Sequence, residues 1–217
     1  MTSHYRAETT RHSPRTVGLV VEGEAEFKAL PLLHTKGLLT GCPPLKLRNV
    51  GGIGGRVSSA GIAFRVHKAV LGLLAAGVVR VVVCLDRELR QACPGELARD
   101  VWKALDRLLK EWGHSGDEVN VVVADRAFEA WLLAGAAELH ARSLLRAAPK
   151  FQSFEGRMGI RKRLGKYELT QLLGHEYRET RDGPRLFASL DFAATRSQGP
   201  TANGSKSLDK LLRVLGL

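Results

Sequence analysis

Six acidic side chains stand where a carboxylate can do chemistry: Glu22 and Glu26, Asp86 and Glu88, Asp125 and Glu129. Each pair follows a short run of apolar residues. Val17 to Val21 reads VGLVV and ends at Glu22-Gly23. Val78 to Leu85 reads VVRVVVCL and ends at Asp86-Arg87-Glu88, and Val119 to Ala124 reads VNVVVA and ends at Asp125. Near-continuous apolar runs are expected of strands buried on both faces of a parallel sheet. Parallel strands share one carboxyl edge, so three acid-tipped strands bring their carboxylates to one place, and in open α/β sheets that edge is where ligands bind. Glu22 and Glu26 are four apart, a spacing that puts both on one face of a helical turn. Asp86 and Glu88 are two apart and project to the same side of an extended segment. Oxygen donors gathered in this way suit a hard cation such as Mg²⁺. A plainer reading of Glu24 and Glu26 is first-turn acids that complement a helix dipole. That reading leaves Glu22, at the strand end, unexplained.

The elements that position these groups follow from the chain in order. After the first strand, Glu24 to Leu30 is helix-friendly, and Pro31 kinks or restarts that helix. Gly41-Cys42-Pro43-Pro44 is a loop, and Leu45 to Val50 alternates apolar and polar residues as a strand nearer an edge does. Gly51-Gly52-Ile53-Gly54-Gly55-Arg56 then leads into a helix ending at Gly77. This turn has neither the GxxxxGK[ST] nor the GxGxxG order, so a phosphate cradle with Arg56 at its end and a plain flexible connection both stand. Leu97, Val101, Leu105, Leu108 and Trp112 mark the core face of a helix that Gly113 terminates. Asp125 leads into one helix reading FEAWLLAGAAELHARSL. Later helices are expected over Tyr167 to Leu173, Leu186 to Ala194 and Leu208 to Leu215, the last capped by Ser205 or Ser207.

Composition bounds the rest. The 217 residues are 44% hydrophobic and 25% charged, which fits one α/β domain of generous size over residues 16–148. Residues 1–15 read as a flexible arm and 149–217 as a basic helical C-terminal subdomain. The formal net charge of +11 favours a polyanionic partner, nucleic acid ahead of an acidic membrane surface. Arg157, Arg161, Lys162, Arg163 and Lys166 crowd one glycine-rich stretch and, with Arg56, are the candidate contacts to a phosphate backbone. No apolar run is long enough for a membrane span and the first residues lack an apolar signal core, so the expected location is cytoplasmic. Cys42, Cys84 and Cys93 show no CxxC spacing and read as reduced thiols. The histidines show no metal spacing.

The pieces VVEGEAE (residues 20–26), VVVCLDRE (residues 81–88) and ADRAFEAWLLA (residues 124–134), in that order, resemble the Toprim (topoisomerase–primase) superfamily. The likeness is to small stand-alone bacterial Toprim-like proteins related to the overcoming-lysogenization-defect nucleases, and it spans roughly residues 16–140. The resemblance implies a Rossmann-like, mostly parallel sheet of at least four strands flanked by helices. By it, Glu22 takes the place of the glutamate that serves as ligand or general acid/base. Asp86 and Glu88 take the place of the Asp-x-Asp metal ligands, with Glu26, Asp125 and Glu129 as further acids. Glutamate at the second Asp position and the missing glycine after it depart from topoisomerases and primases, and no tyrosine is placed by motif as a strand-passage nucleophile. The resemblance therefore implies a Mg²⁺- or Mn²⁺-dependent nuclease with Glu22 and Asp86 catalytic, acting on DNA or RNA in bacterial defence or repair. It further implies an ATPase partner, which must be a separate chain because no Walker A motif is present here. The alternatives are an inactive Toprim-like module that binds nucleic acid or protein, and another phosphotransfer or nucleotide-processing enzyme.

Overall fold

A computed structural model of the chain describes residues 15–150, 155, 165–196 and 204–217. Four strands, β1 (Val17–Val21), β2 (Leu45–Asn49), β3 (Arg80–Asp86) and β4 (Val119–Ala124), form one sheet in the order β2-β1-β3-β4, with every pair parallel. The expected α/β architecture is present. Strand residues alternate between the sheet's two faces. Val17, Leu19, Val21, Val82, Cys84, Val122 and Ala124 enter one core, while Val20, Val81, Val83, Leu85, Val121 and Val123 enter the other. Both faces are covered, and this is why the strands read as continuous apolar runs rather than as alternating ones.

The second core is closed by α3 (Ser59–Leu74) and α4 (Pro94–Lys110). Ser58 caps α3 by accepting from Gly61 N, and Cys93 caps α4 in a capping box with Glu96. The first core is closed by α1 (Glu24–Ala29), α2 (Leu32–Thr35), α5 (Glu129–Ala134), α6 (Ala136–Ala141), α7 (Lys166–Leu173), α8 (Glu179–Phe187), α9 (Phe192–Thr195) and α10 (Lys206–Leu215). Leu169, Leu172, Phe187, Leu208, Leu211 and Leu212 from beyond residue 149 are buried in the same cluster as Leu19 and Val82. Trp131 Nε1 donates to Ser207 Oγ at 2.7 Å and ties α10 to α5. Ser205 is the α10 cap, accepting from Leu208 N.

Two elements differ from expectation. The single helix after Asp125 divides at Gly135, where a Cβ would lie 2.5 Å from Leu190 Cδ2 and 2.8 Å from Thr195 Oγ1. Close packing of the 190–195 segment against that point requires a glycine. The helix expected over Leu186 to Ala194 is instead α8 followed by α9. Asp191 accepts from Ala193 N and Ala194 N and so starts a new helix at Phe192. Gly183 and Pro184 inside α8 hide its first half from a pattern reading. The arm over residues 1–14 lies outside the described residues. Among the described residues no helix is long and apolar enough to cross a membrane.

Candidate active site

The chain steps from β1 out to β2 and then returns to the other side of β1 for β3, so the strand order reverses between β1 and β3. A crevice opens outside the carboxyl ends of a parallel sheet at such a switch point. Glu22 follows β1 directly, and Asp86 ends β3 across that crevice. Together with Gly23, Ala25, Glu26, Gly52, Glu88, Ala127, Phe128, Glu129, Lys166 and Glu179 they line one cleft of about 110 Å³. Five of the six acids named from the sequence thus meet in one place.

Glu22 is the most constrained of them. One carboxylate oxygen accepts from Asp86 N and the other from Ile53 N at 3.1 Å, so the side chain joins β1, β3 and the glycine-rich loop. Arg90 completes the brace, with Nη1 donating to Asp86 O at 2.8 Å and Nη2 to Gly54 O at 2.6 Å. The loop is therefore pinned to the site by its backbone. Arg56 stands exposed just beyond it. Glu88 reaches the cleft differently from the extended alternation expected of it. The strand stops at Asp86, and Glu88 has a left-handed backbone (φ 52°), with its N–H donating to Arg126 O at 2.6 Å. Gly55 leaves it room, since a Cβ there would lie 2.6 Å from Glu88 Oε2. Glu24 faces away, accepting from Asn49 Nδ2.

Asp125 is not among the residues that line the cleft. The register that pairs Asp86 with Ala124 sets Arg87 beside Asp125 on the sheet's other side, and the two form a buried ion pair at 2.5 Å. The sequence signal for this was Arg87 itself, set between Asp86 and Glu88. Lys166, expected to contact nucleic acid, lies in the cleft, where its Nζ donates to Glu179 Oε1. Gly165, with φ +98°, admits this approach, because a Cβ there would lie 2.9 Å from Glu129 Cβ. Glu179 is a site residue the sequence did not single out; it sits in no acid-tipped strand, and only the packing of α8 on α1 brings it in. Arg157, Arg161, Lys162 and Arg163 lie outside the described residues.

The cleft is electrostatically strained. Burial raises the Glu26 carboxyl to about 7, helped by the charges of Glu22 and Glu179. Burial likewise raises Glu129 to about 7, with Glu26 and Glu179 adding to it and Lys166 opposing. Glu22 is pushed up by burial and by Glu88, against the two backbone N–H groups that favour its charged form. Asp86 is raised well above the usual range by loss of solvent and by Glu26, Glu22, Glu129 and Glu88. Burial alone lowers the ammonium of Lys166, yet Glu179 and Glu129 outweigh it and hold the group charged. Such a group of buried like charges, with one lysine among them, favours binding of further positive charge. The donors are all oxygens, which suits Mg²⁺ or Mn²⁺. As the side chains stand, no three His, Cys, Asp or Glu among the described residues are converged to hold a metal ion. The donor chemistry suits such a cation, while the side chains as they stand are not gathered into a cation site.

No protein-family model matches this chain, and no curated protein matches it either. A solved structure, the C-terminal region of the Burkholderia pseudomallei OLD protein, is similar over 93% of this chain and 97% of its own, at 15% identity and a TM-score of 0.41. At that identity and score the likeness says nothing of the site.

Proposed function

We propose that this chain is a metal-dependent nuclease that hydrolyses phosphodiester bonds of DNA or RNA. One observation carries the reading: five carboxylates from three strand ends and their following helices meet around Lys166 at the sheet's switch point. Glu22, Glu26, Asp86, Glu88 and Glu129 would hold Mg²⁺ or Mn²⁺. The bound ion would supply neutralisation of the scissile phosphate and acidification of a water. Asp125 is left out of this set because Arg87 holds it.

The chain's own groups divide the remaining work. Glu22 is fixed by two backbone N–H donors, and each of its oxygens keeps a lone pair for the cleft. Lys166 places an ammonium where a phosphate oxygen would enter, and Glu179 holds it there. Arg56, with Arg157, Arg161, Lys162 and Arg163, would grip the sugar-phosphate backbone, contacts that give affinity without reading sequence. A separate ATPase chain and a role in bacterial defence or repair belong to the same proposal on the strength of the resemblance alone.

A second reading, a binding module that holds nucleic acid without cutting it, is favoured by the Lys166–Glu179 ion pair, which neutralises part of the cleft with no cation present. Incubation with labelled single- and double-stranded DNA and RNA, with Mn²⁺ or with chelator, separates the two. Metal-dependent cleavage lost in Asp86→Asn supports the nuclease. Retention of nucleic acid with no cleavage in any metal supports the module.

A further inference from the structure

The sheet has a second end. Opposite the acidic cleft, where β1 and β3 begin and the loop into β2 arrives, lies a cavity of about 520 Å³. Val17 lines this cavity and Glu22, five residues on, lines the cleft, so the two stand at opposite ends of β1. At the rise of an extended strand they are roughly 16 Å apart. The charge is reversed as well. Arg15, His34 and Arg80 line the cavity, and no carboxylate does.

The backbone acceptors at this end are already served. Pro44 O accepts from Val17 N at 2.9 Å, Cys42 O from His34 Nδ1 at 2.8 Å and Val214 O from Arg80 Nη1 at 2.7 Å. The bond to Cys42 O leaves Nε2 as the ring nitrogen of His34 that a ligand can meet. Arg80 commits one Nη to Val214 O, and the rest of its fork has no partner among the described residues. Arg15 has no ion-pair partner among them either. A guanidinium fork matches the oxygens of a phosphate two at a time. Apolar groups supply the other half of a ligand site: Val17, Val79 and Leu215, with Pro43 and Pro44. The surface is built before a ligand arrives, because proline fixes its own φ and Val79 N donates to Thr16 O at 3.1 Å. A free phosphate would fill a small part of this volume, whereas sites for small organic ligands run to about 300–1,000 Å³.

We propose that this cavity binds a small phosphate monoester of mononucleotide size. Arg15 and Arg80 hold the phosphate with His34 beside it, and the body of the ester lies against Val17, Val79 and Leu215. The proposal is independent of the nuclease reading, since no residue of the acidic cleft takes part.

Calorimetry on the full chain in metal-free buffer tests it, with adenosine 5′-monophosphate, adenosine and inorganic phosphate as probes and melting as the fold control. The nucleotide should bind wild type more tightly than either of the other two. Arg15→Gln and Arg80→Gln should each weaken it about tenfold, the size of one lost hydrogen bond to a charged group. Arg15 is exposed, so Arg15→Gln should melt as wild type does, and it carries the test if Arg80→Gln, which also gives up the bond to Val214 O, folds poorly. Lys166→Gln, in the acidic cleft, should leave the affinity unchanged. No nucleotide binding by wild type overturns the proposal. So does wild-type affinity in Arg15→Gln, or a loss seen in Lys166→Gln, which would put the nucleotide in the cleft. Inorganic phosphate bound as tightly as the nucleotide overturns it too, because the body of the ester would then contribute nothing. None of these readouts involves cleavage, so failure here and failure of the nuclease reading are told apart.

Discussion

Glu22 and Asp86 each bring one carboxyl to the cleft, yet they are held differently, and substitution should separate them. Asp86→Asn keeps the side-chain shape and removes a charge that four other carboxylates repel. It should abolish cleavage, leave metal-free melting unchanged or higher, and shrink the stabilisation that Mn²⁺ gives by mass action. Glu22→Gln also removes a charge, but one oxygen becomes an amide NH₂ that faces a backbone N–H of Asp86 or Ile53. It should lower metal-free stability by roughly 1–3 kcal/mol, the cost of a buried unsatisfied donor. Melting curves of both variants with and without Mn²⁺ decide the point; equal Mn²⁺ shifts in wild type and Asp86→Asn would remove Asp86 from the cation's shell. The pH dependence follows from the same crowding. Glu26 and Glu129 titrate near 7 when folded and near 4.5 when unfolded, so the folded state binds more protons between those values. Stability of the metal-free protein should therefore be full below about pH 4.5, fall as pH rises to about 7, and level off above it. Cation binding, which needs the charged carboxylates, should strengthen over the same range. Urea melts at a series of pH values check this, and a flat profile would mean the carboxyls are solvated. At this scale the sequence showed the acids but not their partners. Asp125 drops out of the cleft because Arg87 is its neighbour across β3 and β4, a fact of register that no single-strand pattern contains.

The helices and turns were legible where hydrophobic period and capping agreed, and opaque where close packing overrode pattern. Strand positions and the edge placement of β2 follow from apolar runs and alternation. The break at Gly135 does not, because it depends on residues 190–195, and the start of α8 does not, because Gly183 and Pro184 mask its period. Gly165 shows how such a position can be probed. Its left-handed backbone and its approach to Glu129 and Leu133 mean that Gly165→Ala meets both a conformational penalty and a clash. The substitution should destabilise by roughly 2 kcal/mol or more. It should also move the start of α7, so that Lys166 and Glu129 separate and cleavage falls further than stability predicts. Val82→Ala is the contrast, a fully buried strand position facing the first core. It leaves a cavity that costs roughly 2 kcal/mol with or without metal and does not change the Mn²⁺ shift. Thermal melts paired with cleavage rates distinguish them; proportionate losses in both variants would make Gly165 an ordinary packing site.

At the scale of the whole molecule, the sequence suggested a basic C-terminal unit beside an α/β unit, and described residues from both are buried in one core. The face of the sheet carrying Leu19, Val82 and Val122 is covered by α1 and by helices from both sides of residue 149. Leu169, Leu186, Phe187, Leu208, Leu211 and Leu212 are each fully buried there. The ring of Phe187 packs on Phe128 at 5.6 Å and on Phe192 at 5.3 Å, bridging the late helices to the start of α5. A chain ending at residue 148 would uncover that face and leave Ala25, Ala29 and Leu133 without their neighbours. Apolar burial is the main source of stability, and a domain has only a small net margin to lose. The shortened chain should therefore show no cooperative melt and should bind a hydrophobic dye, while the full chain unfolds in one transition with near- and far-ultraviolet dichroism coincident. Cooperative melting of the shortened chain would instead establish residues 149–217 as a separate domain. The consequence for function runs the same way: a chain lacking Lys166 and Glu179 should lose cation binding even where strand-tip carboxylates remain, because those carboxylates stand beside a core that the late helices complete.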